Sequence, residues 1–220
     1  MKIIARIYND FTDRFGIPRQ SGIAEKAVSK IVFEKEFRDP SSLRGIEEFS
    51  HLWLIWNFSE SECERFSPTV RPPRLGGNKR VGVFATRSPF RPNPIGLSSV
   101  KLISLEQTKD GTVLLVSGAD LMNGTPIYDI KPYIPYSDCH PDASGGFAEE
   151  KRSYKLKVVF LQNTKNKFPE EKLNTLIKIL ENDPRPSYQN DPDRVYGMSF
   201  AGYEVKFKAD GAKLTVVDII

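Results

Sequence analysis

Short apolar runs with a period of two, broken by turn residues, dominate the chain up to about residue 161 and predict strands. Lys2–Tyr8 reads as a first strand, and Val28–Phe37 as a second with Ile31, Phe33 and Phe37 on one side. Asp39-Pro40-Ser41-Ser42 has the chemistry of a helix start and leads into a short helical turn over Leu43–Phe49. His51–Phe58 (HLWLIWNF) is apolar enough for a buried strand, which puts Trp53 and Trp56 in the core. Leu97–Glu106 and Thr112–Gly118 flank Lys109-Asp110-Gly111 and predict a hairpin. Tyr154–Leu161 is one more alternating strand.

Beyond Gln162–Lys167 the period changes. Leu173, Leu176, Ile177 and Leu180 recur at helical spacing and predict a helix over Pro169–Asn182. Pro169 and two glutamates suit its first turn, and Pro184 ends it. Tyr196–Lys208 and Lys213–Ile219 predict a closing hairpin around Asp210-Gly211. The expected architecture is mainly β: a β-barrel-like domain over 1–161 and a small α+β domain over 162–220.

Composition narrows the function classes. The 220 residues are 39% hydrophobic and 27% charged, enough for one core with an appendage, and the net charge of +4 permits a polyanionic partner. Two cysteines, Cys63 and Cys139, and two histidines, His51 and His140, lack the number and spacing of a disulfide framework or zinc site, so no metal is expected. No apolar run approaches the roughly 18 residues of a membrane span, and Met1-Lys2-Ile3-Ile4 does not open a signal peptide. The expectation is a cytoplasmic protein with no membrane partner.

The charge is unevenly placed. Seven basic residues and no acid lie between Arg65 and Arg91, and Pro89, Pro92 and Pro94 stiffen the loop that carries Arg87 and Arg91. A one-signed, proline-braced loop suits an anion, although a rigid turn whose arginines pair with distant carboxylates has the same composition. Pro18-Arg19-Gln20 and Asn123–Tyr133 share this grammar of polar residues clamped by Pro and Gly. Such loops on a β scaffold are where a small-molecule site is expected. The arginines suit a carboxylate or phosphate; Gln20 and Asn123 suit the edge of a heterocycle. Asp129, Lys131 and Tyr133 are the clustered groups able to move a proton. No G-x-G-x-x-G, P-loop or G-x-S-x-G is present, so neither a Rossmann dinucleotide site nor a hydrolase elbow is supported. From the residues alone, an enzyme acting on an anionic or zwitterionic ligand and a non-catalytic RNA-binding module both stand.

The motifs themselves resemble the TsaA/YaeB family, whose bacterial members are TrmO-type tRNA methyltransferases. The resemblance rests on Pro18-Arg19-Gln20, Gly45–Trp53 (GIEEFSHLW), Arg71–Gly77 (RPPRLGG), Gly82–Ser98, Gly124–Tyr133 (GTPIYDIKPY) and Asp183–Tyr188, and covers nearly the whole chain. It implies a barrel unlike the Rossmann methyltransferases, S-adenosylmethionine as cofactor, a homodimer, and N6-methylation of threonylcarbamoyladenosine beside the anticodon, at position 37 of a threonine tRNA. It also implies cofactor contacts at Pro18, Arg19, Gln20, Ser59, Glu60, Arg87, Leu97, Asn123, Gly124, Thr125 and Pro126. Ser59-Glu60 replaces a His-Gln pair of the family, and Asn123 replaces an Asp. On the same reading Asp129 or Tyr133 would take the acceptor's proton. Arg71, Arg74, Arg80, Arg91, Lys131 and Arg185 would contact tRNA, the last from a C-terminal domain that meets tRNA or a second subunit. A methyltransferase of the same barrel class acting on another acceptor remains an alternative.

Overall fold

The computed structural model describes residues 1–61, 66–72, 75, 79–149, 154–185 and 191–220. In chain order its strands are β1 (Ala5–Tyr8), β2 (Val28–Phe33), β3 (His51–Asn57), β4 (Thr69–Val70), β5 (Val81–Gly82), β6 (Ile95–Thr108) and β7 (Gly111–Ser117). They continue with β8 (Pro126–Pro132), β9 (Lys157–Phe160), β10 (Tyr196–Phe200), β11 (Tyr203–Asp210) and β12 (Lys213–Ile219); the helices are α1 (Pro135–Asp138) and α2 (Glu170–Glu181). Several 3-10 turns fill the connections, including Lys35–Phe37, which takes the end of the expected second strand.

Six strands close into a barrel in the order β1-β2-β7-β6-β3-β8. The alternation that predicts the strands also fills the barrel. Along β3, Leu52, Leu54 and Trp56 are buried, while Trp53 and Ile55 face outward and are only partly covered. Closure rests on a short antiparallel contact, Ala5 against Ile127 and Arg6 against Pro126. The expected β6–β7 hairpin forms, its strands running on to pair Thr108 with Gly111 so that only Lys109 and Asp110 make the loop, with Gly111 in the left-handed region at φ 88°. A bulge near Ile103 bends β6 across the barrel.

The second sheet has the order β10-β11-β12-β9, with α2 packed against β9. Two expectations are corrected here. Tyr196–Lys208 is not one strand, because Ala201 and Gly202 sit at φ 56° and 84° and turn the chain into a hairpin. The strand expected over Tyr154–Leu161 does not join the barrel. It runs parallel to β12, Leu214 opposite Val158, so the sheet of the second unit starts before residue 162.

The segment from Asn9 to Ala27, between β1 and β2, belongs to both units. Phe11 and Ala24 are buried in the second core, and the Phe11 ring stacks on Phe200 at 5.6 Å. Lys172 of α2 pairs with Asp10 at 2.8 Å, and Ala201 donates its N–H to the Asp10 carbonyl at 3.1 Å. Gly16 approaches so closely that a Cβ there would lie 2.7 Å from the Ser199 carbonyl oxygen. At its other end Gly22 donates to Gly118 of the barrel at 2.8 Å.

Candidate functional site

A cavity of about 700 Å3 opens at the barrel end where β1, β3 and β7 finish and β2, β6 and β8 begin. It continues over the rim along the outer face of β3 and β6 to Trp53, Leu97 and Ser99. Its size falls within the roughly 300–1,000 Å3 usual for small-molecule sites. Four stretches wall it: Arg14–Ser21 from the shared segment, the stretch Thr86–Leu97, the connection from β7 to β8, and Asn57–Ser61 at the end of β3.

The Thr86–Leu97 loop is held by its own side chains. Arg91 Nη1 donates to the carbonyls of Thr86 (2.8 Å) and Val83 (3.3 Å), and its guanidinium lies 5.5 Å from the centre of the Phe84 ring. Phe58 N–H closes the loop on Pro94 O at 2.9 Å. These bonds, added to three prolines, leave Arg87 on a nearly fixed backbone. Arg87 Nη1 donates to Gln20 Oε1 at 2.5 Å, joining the first two walls.

Trp56 forms part of the floor. Its ring lies across Gly96, its register partner, so closely that a Cβ there would sit 2.2 Å from Cε2. Its indole N–H donates to Ser98 Oγ at 3.0 Å, and Ser98 donates in turn to Asp120 Oδ1 at 2.5 Å. Asp120 lines the cavity and is half-buried. Burial pushes its carboxyl above the usual range, opposed by the Ser98 hydroxyl, by backbone donors including Ser21, and by the charge of Arg87. Sequence reasoning missed Asp120; the available signal was an acid directly ahead of the Asn123-Gly124-Thr125-Pro126 turn.

The third wall is bolted to β1. Asn123 N–H donates to Phe11 O (2.8 Å) and Gly124 N–H to Ile7 O (2.7 Å), while Arg6 Nη1 holds the Gly124 carbonyl at 3.1 Å. Asn123 Oδ1 accepts the Asn9 N–H at 3.0 Å, so the oxygen of the amide expected at a heterocycle edge is engaged within the protein. Thr125 lines the cavity; Asn123, Gly124 and Pro126 frame it without lining it.

The cavity thus gathers Pro18, Arg19, Gln20, Ser59, Glu60, Arg87, Leu97 and Thr125 from the expected cofactor set, together with Arg91. Glu60 faces Arg14 at 3.7 Å. Arg19 also points elsewhere: its Nη2 donates to the carbonyls of Asp183 (2.6 Å) and Arg185 (2.8 Å), tying the first wall to the second unit.

Other expected residues are not brought together. Asp129 stands opposite Ile55, itself opposite Leu97, which places it two strands from Leu97, about 10 Å away. It pairs with Lys131 at 3.2 Å on an exposed face. Tyr133 lies at the far end of β8, its ring 5.4 Å from that of Trp53. Burial pushes its phenol up, and Cys139 and Asp138 add to the shift, which keeps the proton on the oxygen. Arg185, expected at tRNA, is buried: it pairs with Asp183 at 2.8 Å and donates to the Ala209 carbonyl, so its guanidinium braces its own unit. Arg71 and Arg80 are exposed, and Arg74 lies outside the described residues. Trp53, expected in the core, faces outward and lines the cavity.

A second cleft of about 760 Å3 lies between Pro40–Ser50 and the middle of β6, without any of the rigid loops. A polar cleft of about 730 Å3 runs from Gln20 along α2 past Lys26, Lys155 and Lys178. Among the described residues no group of His, Cys, Asp and Glu could hold a metal ion, and no helix is long and apolar enough to cross a membrane.

Comparison with known proteins agrees with this fold. The chain is 36% identical over 222 residues to a tRNA (adenine(37)-N6)-methyltransferase of Escherichia coli K12, covering 97% of this chain and 94% of that protein. It is 45% identical over 163 residues to the Eikenella corrodens protein of the same name, covering 74% and 92% respectively. The crystal structure of TrmO from Pseudomonas aeruginosa superposes with a TM-score of 0.77 at 30% identity, covering 99% of this chain and 97% of that one. The family model for the tRNA-methyltransferase O N-terminal domain matches residues 6–139 and that for the TrmO C-terminal domain matches residues 153–220; the chain belongs to the tRNA-methyltransferase O family.

Proposed function

We propose that this protein transfers a methyl group from S-adenosylmethionine to N6 of adenosine 37 in tRNA, and that its substrate is threonylcarbamoyladenosine in a threonine tRNA. The observation that carries the reading is the cavity walled by Pro18–Gln20, the Arg87 loop and Thr125. Its donor set fits the cofactor: arginines for a carboxylate, Asp120 for a cationic group, and the faces of Trp56 and Phe58 for apolar atoms. The names of the relatives, which include S-adenosylmethionine-dependent methyltransferases, support the same cofactor.

Bound there, S-adenosylmethionine supplies a methyl carbon whose bond to sulfur breaks with its electron pair on sulfur, while N6 forms the new bond and gives up its proton. The chain's own contribution is alignment. Pro18, Arg19, Gln20, Ser59, Glu60, Arg87, Leu97 and Thr125 hold the donor, and Asn123, Gly124 and Pro126 fix the wall behind it. Trp53, on the outer face between the cavity and Tyr133, is placed to stack on an acceptor base. With the base there, Asp129 would serve as a proton acceptor and Tyr133, whose ring packs on Trp53, as a hydrogen-bond donor. Asp129→Asn and Tyr133→Phe should lower turnover more than cofactor affinity, and unchanged turnover in both removes them. Arg71, Arg74, Arg80 and Lys131 would meet phosphates. Exposed Phe84, Phe90 and Leu97 beside the rim support a second copy of the chain covering that side, which sedimentation would read as a homodimer. A tRNA substrate places the reaction in the cytoplasm.

The test is transfer of labelled methyl to tRNA with and without threonylcarbamoylation. Label in the modified pool alone is expected. Label in both pools equally removes the finer substrate. Binding of S-adenosylmethionine with no label means another acceptor, and no binding leaves an RNA-binding module.

A further inference from the structure

We propose that Asp120 receives the ammonium group of an amino-acid-bearing ligand in the cavity, with Arg87 beside it taking the carboxylate of the same ligand. The S-adenosylmethionine reading of the cavity underlies this, since the methionine end of that cofactor is such a group.

The charges of the cavity wall carry the inference. Arg14, Arg19, Arg87 and Arg91 supply positive charge; the acids are Glu60 and Asp120. Glu60 is opposed by Arg14. For Asp120 no ion pair forms among the described residues, and the partners it has there are the neutral Ser98 hydroxyl and backbone N–H groups. A carboxylate taken from water without a cation is costly, so a site that keeps one is built for a cation that arrives with the ligand.

The polarity of the bonds holds the carboxylate in an accepting state. An indole N–H only donates, so Ser98 Oγ must accept from Trp56, and the single hydroxyl proton of Ser98 is directed at Asp120 Oδ1. Ser98 is 1% exposed and Trp56 is 6% exposed, which fixes the chain of donors. The remaining lone pairs of Asp120 are left for a donor in the cavity.

The neighbour decides which cation. Arg87 acts on Asp120 electrostatically without closing an ion pair, and one of its N–H groups is spent on Gln20. A carboxylate and a guanidinium lining the same cavity are the complement of a ligand that carries both an ammonium and a carboxylate. The sulfonium fits less well. Its positive charge fades during methyl transfer, so a carboxylate against it would stabilise the reactant more than the transition state. An ammonium keeps its charge throughout, and binding it costs no rate.

Calorimetry on the full chain tests this with S-adenosylhomocysteine, its analogue lacking the α-amino group, 5′-methylthioadenosine and S-adenosylmethionine. The parent protein should bind S-adenosylhomocysteine about 10–100-fold more tightly than the des-amino analogue, the range for a charge-assisted hydrogen bond. In Asp120→Asn that ratio should fall to about 3-fold or less, with 5′-methylthioadenosine unaffected. Equal binding of the first two ligands by the parent overturns the proposal even if the variant does not fold. An unchanged ratio in the variant overturns it, and so does equal weakening of 5′-methylthioadenosine, which would make Asp120 a scaffold. Weakening confined to S-adenosylmethionine would move Asp120 to the sulfonium and also overturns it. If the parent binds none of the four, the cofactor reading itself fails.

Discussion

Replacing Gly96 by Ala puts a methyl group where Trp56 lies. The added Cβ would be 2.2 Å from Cε2, 2.4 Å from Cζ2 and 2.6 Å from Cδ2, so the ring has to leave. It cannot tilt freely, since Phe58 packs 4.2 Å away on one side and the indole N–H is tied to Ser98. Overpacking of this kind costs about 1–3 kcal/mol, and a buried N–H left without its acceptor costs about as much again. The expected loss is therefore about 2–6 kcal/mol. At about 3 kcal/mol the melting temperature should fall by roughly 6–12 °C for a chain of this size. Thermal unfolding followed by tryptophan fluorescence reads both the loss and the displaced ring. The same substitution in a Trp56→Leu background should cost less than about 1 kcal/mol, because the ring it strikes is gone. A melting temperature within about 2 °C of the parent, with unchanged fluorescence, would refute the packing account and remove Trp56 as the fixed floor of the cavity.

Arg185→Ala should lower stability by about 3–5 kcal/mol in urea, because it strands Asp183 next to a buried site. Arg80→Ala should change stability by less than about 0.5 kcal/mol, yet reduce the slope of log affinity against log salt for tRNA by about 1. For Asp120 the sign follows from a folded-state carboxyl raised above 3.8. The folded protein holds that proton more tightly than the unfolded chain, so the group's contribution is present at low pH and is lost as pH climbs from 3.8 through the raised value. Urea titrations across that range should show the parent losing stability relative to Asp120→Asn as pH rises. A constant gap between the two would mean that Asp120 is not buried at a cost.

Local chemistry made part of this molecule readable. The proline-braced Arg87 loop, the hairpin at Lys109-Asp110 and the helix over Glu170–Glu181 are set by neighbours a few residues apart, and the structure has all three. What the sequence hid is non-local. Barrel closure depends on Ala5 meeting Ile127, a pairing no local pattern announces. β9 alternates like a barrel strand, and only its parallel partner β12, more than fifty residues on, places it in the second sheet. Arg185, between Pro184 and Pro186, looks in sequence like Arg71 and Arg74, each next to a proline. Its carboxylate two residues away and the Ala209 carbonyl turn it inward. Asp120 was hidden for the opposite reason: the turn that follows it is a weak local mark, and its partner Ser98, itself held by Trp56, lies on another strand.

The same non-locality gives the second unit a role in the site. Pro18-Arg19-Gln20 sits on a segment with few regular hydrogen bonds of its own. Its position is set by Phe11 and Ala24 in the second core, by the Lys172–Asp10 pair, and by Arg19 reaching the Asp183 and Arg185 carbonyls. Gln20 then passes that position to Arg87, and Arg87 passes its charge to Asp120. Arg185 therefore bears on the cavity without touching it. It fixes the Asp183–Arg185 loop by a buried ion pair, that loop fixes Arg19, and Arg19 fixes the wall that holds Gln20 against Arg87.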